Sequence, residues 1–330
     1  MIITRTPFRV SFFGGGTDYP AWYKEHGGSV LATTIDKYCY ITCRKLPPFF
    51  EHKHRIVYSL IENVIENEEI KHPSVRAIFN WANISEGLEI HHDGDLPARS
   101  GLGSSSAFTV GMIHAIRGLE GRLVNKRYLA EKAIHIEQDL IGENVGSQDQ
   151  VLTAHGGFRR VDFYESGGFD LTPVIFSSDK KTNLNSHLML FFTGISRYSG
   201  DVAKTKIVGF PKKIQQMTRI QEMVDDAFAL IASNGPLEEF GALLDEGWSL
   251  KRSLSNQVST GSIDEIYREA RSAGAIGGKI LGAGGGGFFL LFAKPEHHQS
   301  IKKRLNKLVY VDFKFDETGS QVVLYQPNGL

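Results

Sequence analysis

Residues 97–107 read Pro-Ala-Arg-Ser-Gly-Leu-Gly-Ser-Ser-Ser-Ala and run into an apolar segment. Glycines let backbone N–H groups converge on a ligand, and a helix N-terminus adds about half a positive charge. One serine there would be an ordinary helix cap. Three in a row, Ser104, Ser105 and Ser106, are better explained by hydroxyls that hold a phosphate or Mg²⁺. The stretch is therefore read as an anion-binding loop formed by Gly101, Leu102, Gly103 and the serines. It is not a P-loop, because the Gly-x-x-x-x-Gly-Lys-Ser/Thr spacing is absent and Gly278-Lys279 is followed by Ile280. The catalytic-loop and Asp-Phe-Gly signatures of protein kinases are also absent.

Two further glycine clusters flank this one in sequence. Arg9-Val-Ser-Phe-Phe-Gly-Gly-Gly-Thr-Asp18 carries a strand into three glycines and an acid, where the backbone must turn sharply or approach a ligand. Leu281-Gly-Ala-Gly-Gly-Gly-Gly287 leads into Phe288–Phe292. A dinucleotide-binding fingerprint needs a strand before its glycines and a helix after them. The run after Gly287 is short and strand-like, so a nicotinamide-dependent enzyme is disfavoured. Consecutive glycines cost folding entropy, which points to close packing of this backbone against something else.

Two carboxylates complete the set. Glu137 shares a helical stripe with Ala130, Ala133, Ile134 and Ile141, so it faces inward and needs a metal ion or a basic partner. Asp149 lies in a polar, glycine-punctuated stretch, where the plain reading is a cap or turn residue. The histidines show no zinc-ligand spacing.

These residues need a scaffold. The spacing predicts strands at Ile2–Thr6, Phe8–Phe13, Ser29–Thr34, Tyr38–Lys45, Leu88–His92, Phe288–Phe292, Val309–Phe315 and Gln321–Tyr325. It predicts helices near Ser74–Ser85, Ser104–Leu119, Lys126–Ile141, Pro211–Ser233, Pro236–Leu254, Ile263–Ala273 and Pro295–Leu308. There is no regular βαβ alternation, so the fold class is α+β. With 330 residues, two domains are expected, divided at the polar, turn-prone Asn183–Ser186. The 37 basic and 37 acidic residues balance, which argues against a nucleic-acid or polybasic membrane-surface protein. Only Cys39 and Cys43 are present, and neither a signal peptide nor a long apolar span is seen. A cytoplasmic protein is expected.

The order of these motifs resembles the GHMP kinase superfamily of galactokinases, homoserine kinases, mevalonate kinases and phosphomevalonate kinases. Pro97–Ala107 matches its middle motif. Arg9-Val-x-x-x-Gly-x-x-Thr-Asp18-Tyr19 is similar to the galactokinase pattern, with Gly15-Gly16 in place of Glu-His. Gly-Gly-Gly-Thr-Asp and Thr193-Gly-Ile-Ser-Arg197 instead resemble bacterial D-glycero-D-manno-heptose 7-phosphate kinases.

The resemblance implies a ribosomal protein S5 domain 2-like N-terminal domain (residues 1–185) and a ferredoxin-like C-terminal domain (residues 186–330), with ATP between them. It implies phosphorylation of the anomeric hydroxyl of a heptose 7-phosphate, on the route to a GDP-heptose. The alternatives are an L-fucose or galactose type of sugar 1-kinase, or a non-catalytic sugar or nucleotide sensor. The Gly101–Ser106 loop would cradle the ATP phosphates, and Ser105 (or Ser104) with Glu137 would hold Mg²⁺. Asp149 would take the acceptor proton, and Arg9 beside it would stabilise the transferring phosphoryl group. Gly15, Gly16, Thr17 and Asp18 would hold the sugar, with Gly284 and Gly285 closing over it. A phosphorylated substrate needs a basic handle, for which Arg197 is the first choice among Lys37, Arg44, Arg99, Arg159, Arg160 and Lys204. Trp81 could line an adenine pocket or simply pack in the core.

Overall fold

The computed structural model describes residues 1–195, 199–233 and 235–327. The two strand pairs predicted at the N-terminus are each continuous, as β1 (Ile2–Phe13) and β2 (Gly28–Lys45). Pro7 does not end β1, because its missing N–H falls where the β1–β2 register slips between Pro7 and Arg9. Helix α1 (Pro20–His26) joins the two strands. There follow β3 (His54–Val57), β4 (Ile61–Val64), α2 (Pro73–Trp81), β5 (Leu88–Gly94), α3 (Ser104–Leu119) and α4 (Lys126–Ile134). Next come α5 (Gln148–His155), β6 (Arg159–Phe163), β7 (Phe169–Pro173) and α6 (Ser178–Ser186). The larger sheet runs β4–β3–β5–β2–β1 and then to a strand from the far end of the chain, with β6 also on β2 and β7 on β6. Helix α3 packs across β1 and β2, with Phe108, Met112, Ile113 and Ile116 buried beneath it.

The second half contains β8 (Leu188–Phe192), α7 (Ser199–Gly209), α8 (Ile214–Ala232), α9 (Glu238–Leu254) and α10 (Gly261–Ser272). It continues with β9 (Ala275–Ile280), β10 (Phe288–Ala293), α11 (His298–Arg304), β11 (Val309–Val311), β12 (Phe315–Asp316) and β13 (Gln321–Tyr325). Its sheet is antiparallel in the order β11–β8–β10–β9, the ferredoxin-like arrangement expected of this half.

The division at 185/186 separates the two sheets but not two contiguous halves. Strand β13 pairs with β1, and β12 pairs with β2. The returning strand covers what would otherwise be the open edge of β1. Nor is Asn183–Ser186 a linker. It ends α6, which Ser177 caps by accepting from Lys180 N at 3.2 Å. The helix predicted through Lys126–Ile141 stops at Ile134 and passes into a π-helical turn, His135–Leu140. The two halves share a core. Phe12 of β1 stacks on Phe158 at 5.2 Å and meets Phe240 of α9 edge-on at 5.4 Å. Among the described residues no helix is long and apolar enough to cross a membrane.

Candidate active site

Arg9 and Asp149 meet across 140 positions of sequence. Nε and Nη2 of Arg9 each donate to one Asp149 carboxylate oxygen at 2.7 Å, and Nη1 donates to the carbonyl of Gly101 at 2.6 Å. Arg9 is 3 % exposed because it projects from β1 beneath α3. Asp149 is not a loop residue. It sits in the first turn of α5, with its side chain a quarter exposed. The fork geometry fixes the direction of the carboxylate, as bidentate arginine pairs do.

The Pro97–Ala107 segment closes on this pair. Arg9 N donates to Leu102 O at 3.0 Å, tying the loop to β1. Gly103, at φ +73°, is the N-cap of α3, and no side chain caps that helix end. Its first-turn N–H groups are therefore left for a ligand. A Cβ on Gly103 would lie 3.1 Å from Arg9 Cγ and 3.4 Å from Asp149 Oδ2, so glycine is required here. The three serines have three different positions. Ser104 Oγ accepts from Arg99 N at 3.2 Å, Ser105 is exposed, and Ser106 is buried.

Ser106, not Ser105, is the hydroxyl that meets Glu137, donating to its Oε2 at 2.9 Å. One residue of helix rotates the side chain by about 100°, so only one of adjacent serines can face this carboxylate. Glu137 lies in the π-helical turn, fully buried, and also accepts from Gln150 Nε2 at 2.5 Å. Burial pushes its pKa up to about 8, against the pull of the Thr109 and Ser106 hydroxyls. Its Oε1 has no hydrogen-bond partner among the described residues. An orphaned, buried carboxylate oxygen beside a helix N-terminus fits Mg²⁺, which takes one or two carboxylates together with substrate phosphates. No group of three or more metal-binding side chains exists among the described residues, so the phosphates would have to complete the shell.

The first glycine turn is braced from below. Thr17 Oγ1 donates toward the carbonyls of Gly14 and Ser29, both at 2.8 Å. Asp18 is 1 % exposed and accepts from Gly16 N at 2.9 Å and Gln148 Nε2 at 3.0 Å. Burial raises its pKa, and the Gly16 N–H opposes that rise. Thr17 and Asp18 thus shape the turn and tie it to α5. Gly15 is the member of the turn that is part-exposed.

The third glycine cluster packs backbone to backbone against the serine loop. Phe288 N donates to Ser100 O at 3.0 Å, and a Cβ on Gly287 would sit 2.2 Å from that carbonyl oxygen. A Cβ on Gly101 would sit 2.5 Å from the carbonyl oxygen of Leu281. Gly284 backs onto Val258, and Gly285 N donates to Val258 O at 2.9 Å. Both pack on the Val258 backbone, Gly284 half-buried and Gly285 buried.

Of the predicted basic handles within the described residues, Arg99 lies in the serine loop, where its backbone N meets Ser104 Oγ, and the others do not gather at the site. Lys37 pairs with Asp36, Arg44 with Glu89, and Arg160 with Asp162 and Asp225. Arg159 donates to Gly156 O, and Lys204 is exposed. Arg197 lies outside the described residues. Sequence reasoning missed three buried lysines, Lys206, Lys251 and Lys279. The stripe argument that exposed Glu137 would have found Lys251, which is three residues from both Trp248 and Leu254 and seven from Leu244, all buried. Trp81 is half-buried, with Arg117 over its ring at 4.2 Å. It lines a cavity of about 500 Å³ between α2 and the π-helical turn, together with Arg76, Ala77, His135, Leu140 and Ile141.

Comparison with known proteins agrees with this geometry. Residues 60–157 match the GHMP kinases N terminal domain, and residues 227–311 match GHMP kinases C terminal. A D-glycero-alpha-D-manno-heptose 7-phosphate kinase from Campylobacter jejuni is 30 % identical over 96 % of this chain and 97 % of its own. A galactokinase from Pyrococcus furiosus is 26 % identical over 91 % of each chain. A solved D-glycero-D-manno-heptose 1-phosphate kinase from Bacteriodes thetaiotaomicron shares the fold, with a TM-score of 0.81 and 22 % identity, over 99 % of this chain and 100 % of that one.

Proposed function

This chain belongs to the GHMP kinases and is a phosphotransferase with an alcohol group as acceptor; from that premise we propose that it transfers the γ-phosphoryl group of ATP to the anomeric hydroxyl of a heptose 7-phosphate, giving the 1,7-bisphosphate. The observation that carries the transfer chemistry is the bidentate Arg9–Asp149 pair set against the carbonyl of Gly101. The choice of acceptor rests on the likeness to the heptose 7-phosphate kinase and on Gly15-Gly16 at the first turn.

Phosphoryl transfer asks a protein mainly for positioning and charge neutralisation. The N–H groups of the Gly101–Ser106 loop and the α3 N-terminus bind the phosphates. Asp149 orients the acceptor hydroxyl and accepts its proton as the oxygen bonds to phosphorus and the bond to ADP breaks. Arg9 holds Asp149 in place and offsets charge on the transferring group. Glu137 and Ser106 hold Mg²⁺, with Ser105 available from the exposed first turn. When bound, Mg²⁺ neutralises the phosphate oxygens and favours the ionised Glu137. Gly15 and Gly16 present backbone to the sugar over the Thr17–Asp18 brace, with Gly284 and Gly285 opposite. The adenine occupies the Trp81 cavity, which borders the turn that carries Glu137.

The test is ADP release with Mg·ATP against D-glycero-D-manno-heptose 7-phosphate, the free heptose, mannose, galactose and L-fucose. Turnover is expected to be fastest on the 7-phosphate, with the free heptose a weak acceptor and the other sugars inactive. Turnover confined to a free sugar would discard the acceptor and keep the transfer chemistry.

A further inference from the structure

Three buried ammonium groups stand outside this mechanism. Lys206 of α7, Lys251 of α9 and Lys279 of β9 are 4 %, 7 % and 8 % exposed. Among the described residues none of them pairs with a carboxylate. Lys279 donates to Phe12 O at 2.7 Å, two residues before the first glycine turn. Lys251 donates to Ile280 O at 2.6 Å and Gly282 O at 2.7 Å, and Gly282 backs onto Gly101. Lys206 lies over the ring of Tyr19, directly after Asp18, at 5.6 Å. An ammonium group has three donors, so these contacts leave six N–H bonds without an acceptor among the described residues.

The three groups also feel one another. Burial lowers the pKa of each lysine. Lys251 is lowered further by Lys279, Lys206 and Arg9, and Lys279 by Arg9 and Lys206. Two carboxylates lie near, but Asp149 is engaged by Arg9 and Asp18 by the N–H groups of Gly16 and Gln148. With all four basic groups protonated, four cations face two carboxylates, an excess of two positive charges. Burial and mutual repulsion hold Lys279 to about 7 and Lys251 well below its usual value, so a bound anion would draw protons onto them. Burying uncompensated charge costs several kcal/mol per ion, and methionine would fill these positions without that cost. The excess matches a phosphate dianion, and the spare donors match its oxygens. Lys279 and Lys206 flank the first glycine turn through Phe12 and Tyr19, and Lys251 joins them from the strand end that backs onto Gly101.

We propose that Lys206, Lys251 and Lys279 bind the phosphate group that the acceptor sugar already carries. This rests on the reading that the acceptor is a phosphorylated heptose. Lys206 makes no hydrogen bond to the described residues, so Lys206→Gln removes charge without breaking a backbone contact seen there. It is expected to raise KM for the heptose 7-phosphate at least tenfold more than KM for the free heptose. Equal effects on the two acceptors would overturn the proposal.

A second measurement needs no turnover. With Mg·AMP-PNP bound to fill the serine loop, inorganic phosphate should raise Tm of the wild type above a chloride control of equal ionic strength. The rise should be lost in Lys206→Gln while the shift caused by Mg·AMP-PNP remains. No phosphate effect in the wild type, an unchanged effect in the variant, or a lost nucleotide shift would each refute the cluster's role. If neither heptose is a substrate, the acceptor reading fails and the phosphate-dependent Tm still decides the cluster.

Discussion

Arg9 and the three lysines are buried cations of one cleft, held in opposite ways. Arg9 has Asp149 on both arms of its fork and a carbonyl on the third nitrogen. Among the described residues the lysines have only backbone carbonyls or a ring face. A paired charge in a protein interior is already compensated, so its geometry can be fixed before any ligand arrives. An unpaired one is a standing cost that a bound anion removes. The first arrangement suits a step that needs an orienting group in a set direction, and the second suits recognition of a charged substrate.

The largest expected effect comes from breaking the paired side. Asp149→Asn should lower kcat by about 10²–10⁴ while leaving the nucleotide dissociation constant nearly unchanged. Steady-state kinetics with a fluorescent nucleotide titration would check this, and unaltered turnover would remove Asp149 from the mechanism. Next, Gly103→Ala presses a methyl group between the two partners in a left-handed conformation. It should destabilise the protein by about 1–3 kcal/mol in urea and lower kcat with it.

Lys206→Met sharpens the contrast in the other direction. The folded pKa of Lys206 is about 8 against an ordinary 10.5, so at pH 7 the folded protein holds an ammonium it binds more weakly than the unfolded chain does. The substitution should therefore raise apo stability at pH 7, by at most about 3 kcal/mol. The folded wild type binds fewer protons than the unfolded chain between about pH 8 and 10, so this site makes wild-type stability rise with pH there. The advantage of Lys206→Met should shrink across that window, as read by Tm in phosphate-free buffer. A loss of stability at pH 7 would mean that the ammonium is structural.

The smallest effect is expected away from both charge groups. Trp81→Leu should raise KM for ATP roughly fivefold, about 1 kcal/mol of aromatic contact, and leave KM for the acceptor alone. A change in acceptor KM instead would move the nucleotide base out of the cavity beside α2.

The residue types that the chemistry uses and the class of fold could be read from local pattern alone. Glycine and serine clusters, an inward Glu137 and an α+β mixture were all legible, because side-chain periodicity and backbone freedom are local properties; the ferredoxin-like second half followed only from the resemblance to GHMP kinases. The spacing of α3 was legible to its end residues, Ser104 and Leu119. Tertiary structure decided what no local pattern encodes. It joined Arg9 to Asp149 through the packing of β1 against α3 and α5 and turned Ser106 rather than Ser105 onto Glu137. It also returned β12 and β13 to the first sheet, so that a boundary in sequence is not a boundary in space. Above all it brought Lys206, Lys251 and Lys279 together. Each lies in an otherwise ordinary helix or strand, and only the convergence of three elements makes their charges a group.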